Sequence, residues 1–202
     1  MRIEDMISAV QQSLGVDVDG KAGPQTWTAI YERIVNEGRA RPKPTPAIDP
    51  VDPRSEKCLA TLLPEVQPYA RALVHKAAGV GIRIKVISGL RSYAEQDALY
   101  ARGRTAPGPI VTNARAGHSN HNFGIAFDVA VFEGSAYLPE SPKYKAVGAL
   151  GMELGLEWGG AWTTLVDEPH FQLRPAWATD LTERQMLAQL RSRVASDAPV
   201  YA

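Results

Sequence analysis

The amino-acid sequence predicts an α+β fold: a compact domain with a small antiparallel sheet flanked by helices, and a small helical segment ahead of it. Short alternating segments typical of strands occur irregularly among helical patterns, unlike the regular βαβ order of parallel sheets. Hydrophobic residues make up 45% of the 202 positions, enough apolar mass for one domain and a small satellite. Five prolines between residues 39 and 55 separate the two parts, because that proline density prevents helix formation.

The chain divides into three predicted parts. Residues 1–38 form the helical segment, with helices over 4–14 and 24–35. Residues 39–55 form a proline-rich linker, which favours the extended polyproline conformation and therefore acts as a semi-rigid spacer. Residues 56–202 form the larger domain, which ends in a closing helix.

Residue patterns set the elements of the larger domain in order. Strands are expected where apolar residues alternate, and helices where they recur with helical spacing. Ser92, followed three residues later by Glu95, forms a capping box that starts one of the helices. The predicted elements are a helix over 56–78 divided by Pro64 and Pro68, a strand over 82–88, a helix over 93–102, a loop over 103–117, a strand over 124–132, a helix over 143–154, a strand over 170–173 and a helix over 181–194.

Charge and composition exclude several classes of function. Lys+Arg and Asp+Glu both number 22, so neither nucleic acid nor an anionic membrane is an expected partner. No stretch approaches the roughly 20 apolar residues of a membrane span, and the N-terminus lacks signal-peptide features, which predicts synthesis in the cytoplasm without membrane insertion. Cys58, the single cysteine, is expected to be a buried helical thiol, since it allows no internal disulfide and no cysteine-based zinc site.

The first candidate metal ligands lie in the segment 117–128. If a strand follows this loop, Asp128 shares its face only with glycine and alanine, which leaves room for a metal and a substrate. No Lys or Arg is adjacent to Asp128, so its charge needs a partner, and a metal held with His121 would serve. The opposite face is predicted to pack into the core and consists of Ile125, Phe127, Val129 and Val131.

A third candidate ligand, His170, lies in a second short strand. Alternation points His170 and Gln172 to one side, and Phe171 and Leu173 into the core. Two histidines and one carboxylate leave a fourth tetrahedral position for water, which is the pattern of catalytic rather than structural zinc.

A carboxylate close to such a metal could act as a base. Asp167 lies three residues ahead of His170, across a turn fixed by Pro169, and can sit beside the metal without binding it. From there it could take a proton from the attacking water. The three-residue spacing favours Asp167, and the adjacent Glu168 is the alternative.

Arg91 is a candidate for binding negative charge. It lies where the strand over 82–88 ends and the next helix begins, a common position for functional side chains. It could bind a substrate carboxylate or steady the oxyanion of a tetrahedral intermediate. The alternative is a structural role, in which Arg91 pairs with Glu95 four residues later.

Four motifs occur in the following order: Ser88-Gly89-x-Arg91-Ser92, Ser119-x-His121-x-x-Gly124-x-Ala126-x-Asp128, Trp158-Gly159-Gly160, and Asp167-x-Pro169-His170-Phe171. Together they resemble the family of VanY/VanX-type D-alanyl-D-alanine carboxypeptidases and L-alanyl-D-glutamate peptidases, over roughly residues 56–175. The resemblance is greatest to the phage-endolysin branch, which implies cleavage of the L-Ala–D-Glu bond in peptidoglycan stem peptides.

The resemblance also implies roles for individual residues. It places Zn²⁺ on His121, Asp128 and His170, the catalytic base at Asp167 and a transition-state arginine at Arg91. Ser119 and Gln96 match family positions and are predicted to bind substrate. Trp158 is predicted to line the cleft with them, and packing is its alternative role, as it is for Trp162.

The N-terminal segment resembles a second family, the type 1 peptidoglycan-binding domains. The residues that carry this likeness are Val10-Gln11-Gln12-x-Leu14-Gly15 and Val18-Asp19-Gly20-x-x-Gly23-Pro24-x-Thr26-Trp27. That family normally has three helices, and the proline-rich linker follows two predicted helices here. The expected partner is therefore bacterial peptidoglycan, attacked by a monomer.

Two other functions stay open at this point. A D,D-carboxypeptidase or dipeptidase of the same family would differ in the shape of the cleft rather than in the metal site. A non-catalytic wall-binding protein is a third hypothesis, which the complete ligand set and Asp167 argue against. The expected place of action is the bacterial cell wall, reached after release by a holin-type partner.

Overall fold

The computed structural model describes residues 2–31 and 49–202. The chain forms two compact units, Met1–Pro42 and Lys43–Ala202. Most of the predicted linker, and the last residues of the helix predicted over 24–35, lie outside the described residues. The end of the predicted linker is helical, because Pro53 occupies the first turn of a helix and the Asp52 carboxylate caps it.

The N-terminal unit contains helices α1 (Ile3–Leu14) and α2, described over Pro24–Tyr31. The loop between them is held by Gln11, whose side chain is buried. Its Nε2 donates to Asp19 Oδ1 at 2.7 Å and to Thr26 Oγ1 at 2.9 Å, and its Oε1 accepts from the Gly20 amide at 2.9 Å. All four residues belong to the peptidoglycan-binding motif, so the motif records how this unit folds.

The larger unit confirms the predicted α+β class, with a five-stranded antiparallel sheet and helices around it. The sheet order is β1-β2-β5-β4, and β3 pairs with β2. The helices are α3 (Pro53–Leu59), α4 (Gln67–Gly79), α5 (Tyr93–Ala101), α6 (Lys143–Glu153) and α7 (Glu183–Ala195). The strands are β1 (Arg83–Ser88), β2 (Ala126–Glu133), β3 (Ala136–Leu138), β4 (Glu157–Trp158) and β5 (His170–Gln172).

The structure corrects several predicted boundaries. The helix predicted over 56–78 is two helices, and Pro68 begins the second one instead of interrupting it, because proline is tolerated in the first helical turn. Gly124 does not belong to the strand that follows. Its φ of 66° is left-handed and ends a short 3₁₀ helix, Asn120–Phe123. Strands β3 and β4 were not predicted, since three and two residues are too few for an alternating pattern.

The core forms two clusters of buried side chains. The apolar face predicted for β2 is buried as expected, with Phe127, Val129 and Val131 in the main cluster and Ile125 in the second. Cys58 lies on α3 as predicted, but its thiol is only partly buried. The main cluster includes Leu59, Leu73, Val86, Tyr144, Val147 and Phe171, and the second includes Phe123, Ala178, Met186, Leu187 and Leu190.

Both the small N-terminal unit and the larger one lack a membrane-spanning element. Across residues 2–31 and 49–202, no helix combines the length and the apolar character needed to cross a bilayer.

Candidate active site

Strand register brings three polar side chains side by side on the sheet. Asp128 in β2 lies opposite Ser88 of β1 on one side and opposite His170 of β5 on the other. Directly opposed residues of antiparallel strands project from the same face, so the three side chains are neighbours. The sheet thus joins two of the sequence-predicted ligands, which are 42 residues apart in the chain.

His121 reaches the same point from the short 3₁₀ helix that precedes β2. Its carbonyl oxygen accepts a hydrogen bond from the Arg91 amide at 3.0 Å, and the Gly124 carbonyl accepts from the Leu63 amide at 3.1 Å. These bonds fix the loop to two other parts of the domain. The His121 ring is buried as a result, with 3% of the residue exposed.

The three predicted ligands converge on one point. His121 Nε2 lies 3.3 Å from Asp128 Oδ1, and His170 Nδ1 lies 3.4 Å from the same oxygen. One potential donor atom from each residue lies within 4.8 Å of the others. Two imidazole nitrogens and a carboxylate oxygen are a donor set that suits zinc.

Hydrogen bonds on the far side of each ring select the nitrogen that faces Asp128. His121 Nδ1 is 2.8 Å from the Gly89 carbonyl oxygen, and His170 Nε2 is 3.0 Å from Gln172 Oε1. Carbonyl oxygens only accept, so these ring nitrogens carry the protons. The inner nitrogens are then free to bind a metal, which is the usual arrangement of a metal-binding histidine.

The electrostatics of the site favour an ionised carboxylate. Burial by itself opposes the charge of Asp128, but the charges and hydrogen bonds of His121 and His170 outweigh it and hold the pKa of Asp128 well below its usual range. Asp128 is therefore an anion at any pH at which the protein would work.

Arg91 also faces Asp128. Its Nη2 lies 3.8 Å from Asp128 Oδ2 and 3.3 Å from Ser88 Oγ, and its Nη1 donates to Gln96 Oε1 at 2.9 Å. Glu95 does not pair with Arg91 in the way the alternative reading required. Its carboxylate instead accepts from the Ser92 amide and hydroxyl, which forms the predicted capping box.

Gln96 has a different position from the one its predicted role requires. It is fully buried and does not line the cleft, so it cannot touch a substrate directly. Its Nε2 donates to the Ala114 carbonyl at 2.7 Å while its Oε1 holds the Arg91 guanidinium. The capped start of α5 turns position 96 toward the interior, and Gln96 acts as a support for Arg91.

A cleft of about 460 Å³ opens over the three ligands. Arg91, Ser119 and Asp167 all line it, as does the exposed His118, whereas Glu168 does not. Burial raises the pKa of the Asp167 carboxyl above its ordinary value. Between the two adjacent carboxylates, the geometry therefore favours Asp167 as the one that can reach a substrate.

Trp158 is a core residue rather than a cleft residue, which corrects its predicted role. Strand β4 pairs it with Phe171, and its ring joins the main core cluster. A Cβ atom built at Gly148 would lie 2.3 Å from the Trp158 ring, and one at Gly160 would lie 2.1 Å from it. Trp162 lines the cleft instead, with its ring centroid 5.0 Å from that of His170.

The two tryptophans are expected to differ in their effect on stability. Trp158→Ala should lower the free energy of unfolding by about 3–5 kcal/mol, the usual cost of removing a large buried aromatic side chain. Trp162→Ala should cost less than half of that, because one face of its ring borders the cleft. Urea unfolding of both variants measures the difference, and equal losses would contradict this assignment.

Several residues around the site were not assigned a role from the sequence. Gln172 was placed beside His170 by strand alternation, which was the available signal, but its bond to the ring needs the structure. Asn120 and Glu183 also line the cleft and are bonded to each other. No sequence pattern links them, because Glu183 begins a helix 63 residues later.

Comparisons with known proteins point to one class of enzyme. A peptidase family model described as D-alanyl-D-alanine carboxypeptidase matches residues 112–173. The chain is 39% identical over 124 residues to the peptidoglycan L-alanyl-D-glutamate endopeptidase CwlK of Bacillus subtilis (strain 168), covering 56% of this chain and 74% of the relative. The crystal structure of the Serratia marcescens L-Ala D-Glu endopeptidase ChiX matches with a TM-score of 0.48 and 29% identity, over 61% of this chain and 88% of that one.

Proposed function

The chain belongs to the family of D-alanyl-D-alanine carboxypeptidases and L-alanyl-D-glutamate endopeptidases, and we propose that it hydrolyses the L-Ala–D-Glu bond of peptidoglycan stem peptides with a zinc ion. As a family member it is a metal-dependent peptidase that acts on peptidoglycan. The observation that carries the proposal is the convergence of His121, Asp128 and His170 beside Asp167 in one cleft. The 39% identity to an endopeptidase of that specificity supports the bond proposed.

In this proposal His121 Nε2, Asp128 Oδ1 and His170 Nδ1 hold the metal. The donor set supports zinc among the divalent metals, because two imidazoles and a carboxylate with an open fourth position are typical of catalytic zinc. When bound, zinc supplies a Lewis acid that activates water and polarises the scissile carbonyl.

Asp167 is the proposed general base. Its carboxylate lines the cleft and accepts the proton that the attacking water loses, and can then deliver it to the leaving amine. The raised pKa of Asp167 helps both steps, because a carboxyl with a pKa closer to neutrality binds and releases a proton more readily at working pH. Glu168 is directed elsewhere: its backbone carbonyl accepts from Trp158 Nε1 at 2.8 Å.

Arg91 is proposed to stabilise the negative charge that develops on the carbonyl oxygen. Its guanidinium faces the cleft beside Asp128, and hydrogen bonds to Gln96 and Ser88 fix its orientation before a substrate arrives. A preoriented cation of this kind lowers the energy of an oxyanion without reorganisation. Ser119 and Trp162, which line the same cleft, are proposed to contact the peptide.

The second candidate function is a D,D-carboxypeptidase or dipeptidase. The description of the matched family model, D-alanyl-D-alanine carboxypeptidase, is the observation that favours it. Such an enzyme would use the same ligands and base. It would need a free terminal carboxylate in its substrate, whereas an endopeptidase cuts within the chain.

The N-terminal unit is proposed to hold the enzyme, as a monomer, on the cell wall. An apolar groove of about 310 Å³ lies between its two helices, lined by Met6, Val10, Trp27 and Ile30 among others. Trp27 is 60% exposed, which leaves its ring available to stack on a sugar. Access to the wall through release by a holin-type partner stays a prediction.

Digestion of purified peptidoglycan tests the proposed function. The zinc-loaded chain should release fragments with a new N-terminal D-Glu, identified by mass spectrometry of the termini. Release of single D-Ala residues or of D-Ala–D-Ala would instead establish the carboxypeptidase or dipeptidase alternative. With the same walls, Trp27→Ala should bind intact sacculi more weakly while cleaving soluble stem peptides at the normal rate, and equal sedimentation with the walls would contradict a wall-binding role.

A further inference from the structure

A closed set of polar side chains lies behind His170, on the side away from Asp128. Its centre is Gln172, which is fully buried. Gln172 Oε1 accepts from His170 Nε2 at 3.0 Å and from Asn120 Nδ2 at 2.5 Å, and Gln172 Nε2 donates to Glu157 Oε2 at 2.6 Å. Glu157 lies in β4, directly opposite Gln172 in the sheet, and does not line the cleft.

Glu157 determines which way the Gln172 amide faces. An ionised carboxylate only accepts hydrogen bonds, so the NH₂ group of Gln172 must point toward Glu157. The amide oxygen then points toward His170. An amide oxygen also only accepts, so His170 must carry its proton on Nε2, which leaves the lone pair on Nδ1 directed at Asp128.

Two further side chains hold Glu157 in place. Arg174 forms an ion pair with Glu157 through Nε and with Glu183 Oε2 through Nη2 at 2.8 Å. Glu183 Oε1 in turn accepts from Asn120 Nδ2 at 2.5 Å, which closes the set. The Arg174 side chain is only 14% exposed, so its charge is poorly screened and keeps Glu157 ionised.

We propose that Glu157 is a positioning residue that acts through Gln172 to fix the ring nitrogen with which His170 binds the metal. The inference rests on the proposed zinc site and extends it to residues outside the cleft. The order of control is carboxylate, amide, imidazole: the charge of Glu157 orients Gln172, and Gln172 sets the tautomer of His170. Supports of this kind typically contribute 10- to 100-fold to metal affinity.

Zinc affinity of the full-length chain, measured by competition with a chelator, tests the proposal. Glu157→Gln should weaken zinc binding about 10-fold or more, because a neutral amide can donate as well as accept and no longer orients Gln172. Gln172→Met should weaken it by a similar factor. The double variant should be no weaker than Gln172→Met alone, since Glu157 has no effect on the metal once Gln172 is gone.

The matched control is Gln96→Met. Gln96 is also a fully buried glutamine next to the site, but it holds Arg91 instead of a ligand, so its replacement should leave zinc affinity unchanged. Nitrogen NMR of the zinc-loaded protein adds a direct readout: the His170 proton should be on Nε2 in the wild type. Should Glu157→Gln fail to fold by circular dichroism, Glu157→Asp takes its place, with a smaller loss in the same direction.

Two results would overturn the proposal. One is a Glu157→Gln variant that binds zinc as tightly as the wild type, and the other is an equal loss of affinity in the Gln172→Met background. Neither depends on peptidase activity. If the wild-type chain bound no zinc, the proposed function itself would fail, which is a different outcome from a tight site that is insensitive to Glu157.

Discussion

Asp167→Asn is expected to lower the rate of peptidoglycan hydrolysis by about 10²–10⁴-fold, the usual cost of losing a general base. An amide of the same shape cannot accept the proton of the attacking water. The Asp167 carboxylate is not one of the three converging donors, so the variant should stay folded and retain zinc. Single-turnover cleavage of stem peptides, with zinc measured on the same sample, provides both readouts.

The adjacent carboxylate is the control for this prediction. Glu168→Gln should cost far less, because Glu168 does not line the cleft. Near-normal cleavage by Asp167→Asn together with an inactive Glu168→Gln would reverse the assignment of the base. Loss of zinc from Asp167→Asn would show that Asp167 binds the metal or supports a ligand, and the coordination set would change.

His121→Ala and Asp128→Ala are each expected to abolish stoichiometric zinc binding, and hydrolysis with it. Three protein donors hold catalytic zinc, and loss of one leaves two together with additional water, which binds far more weakly. Removing Asp128 also leaves two buried histidines without the carboxylate that both rings face. Metal analysis of freshly purified protein should show about one zinc per wild-type chain and well under one in each variant.

His118 provides a histidine control for the metal site. It lines the same cleft three residues before His121 but is exposed and lies outside the converging group. His118→Ala should therefore retain one zinc per chain. Full zinc occupancy in both His121→Ala and Asp128→Ala would refute the proposed coordination, as would loss of zinc from His118→Ala alone.

Much of the site could be read from the sequence because its chemistry is concentrated in short segments. Strand alternation placed Asp128 on the face opposite Phe127 and Val129, and His170 opposite Phe171, and the structure has those apolar side chains buried. The capping box at Ser92 was also predictable, since it depends on residues three positions apart. Local periodicity determines which face a side chain occupies, so these features needed no tertiary information.

Side chains whose partners are distant in the chain could not be read in the same way. Trp158 and Trp162 looked equivalent in the sequence, and only the pairing of β4 with β5 sends Trp158 into the core and leaves Trp162 at the cleft. Gln96 matched a substrate-binding position, yet the direction of α5 buries it under Arg91.

The sequence by itself determined the class of fold, the metal-binding residue types and the candidate base, because each depends on residues close together in the chain. Only the tertiary structure decided which nitrogen of each histidine faces Asp128 and how Glu157, Gln172 and Arg174 support His170. Those outcomes depend on hydrogen bonds between strands and loops up to 63 residues apart. Such bonds are directional, so their partners are set by strand register and helix placement, which no local pattern specifies.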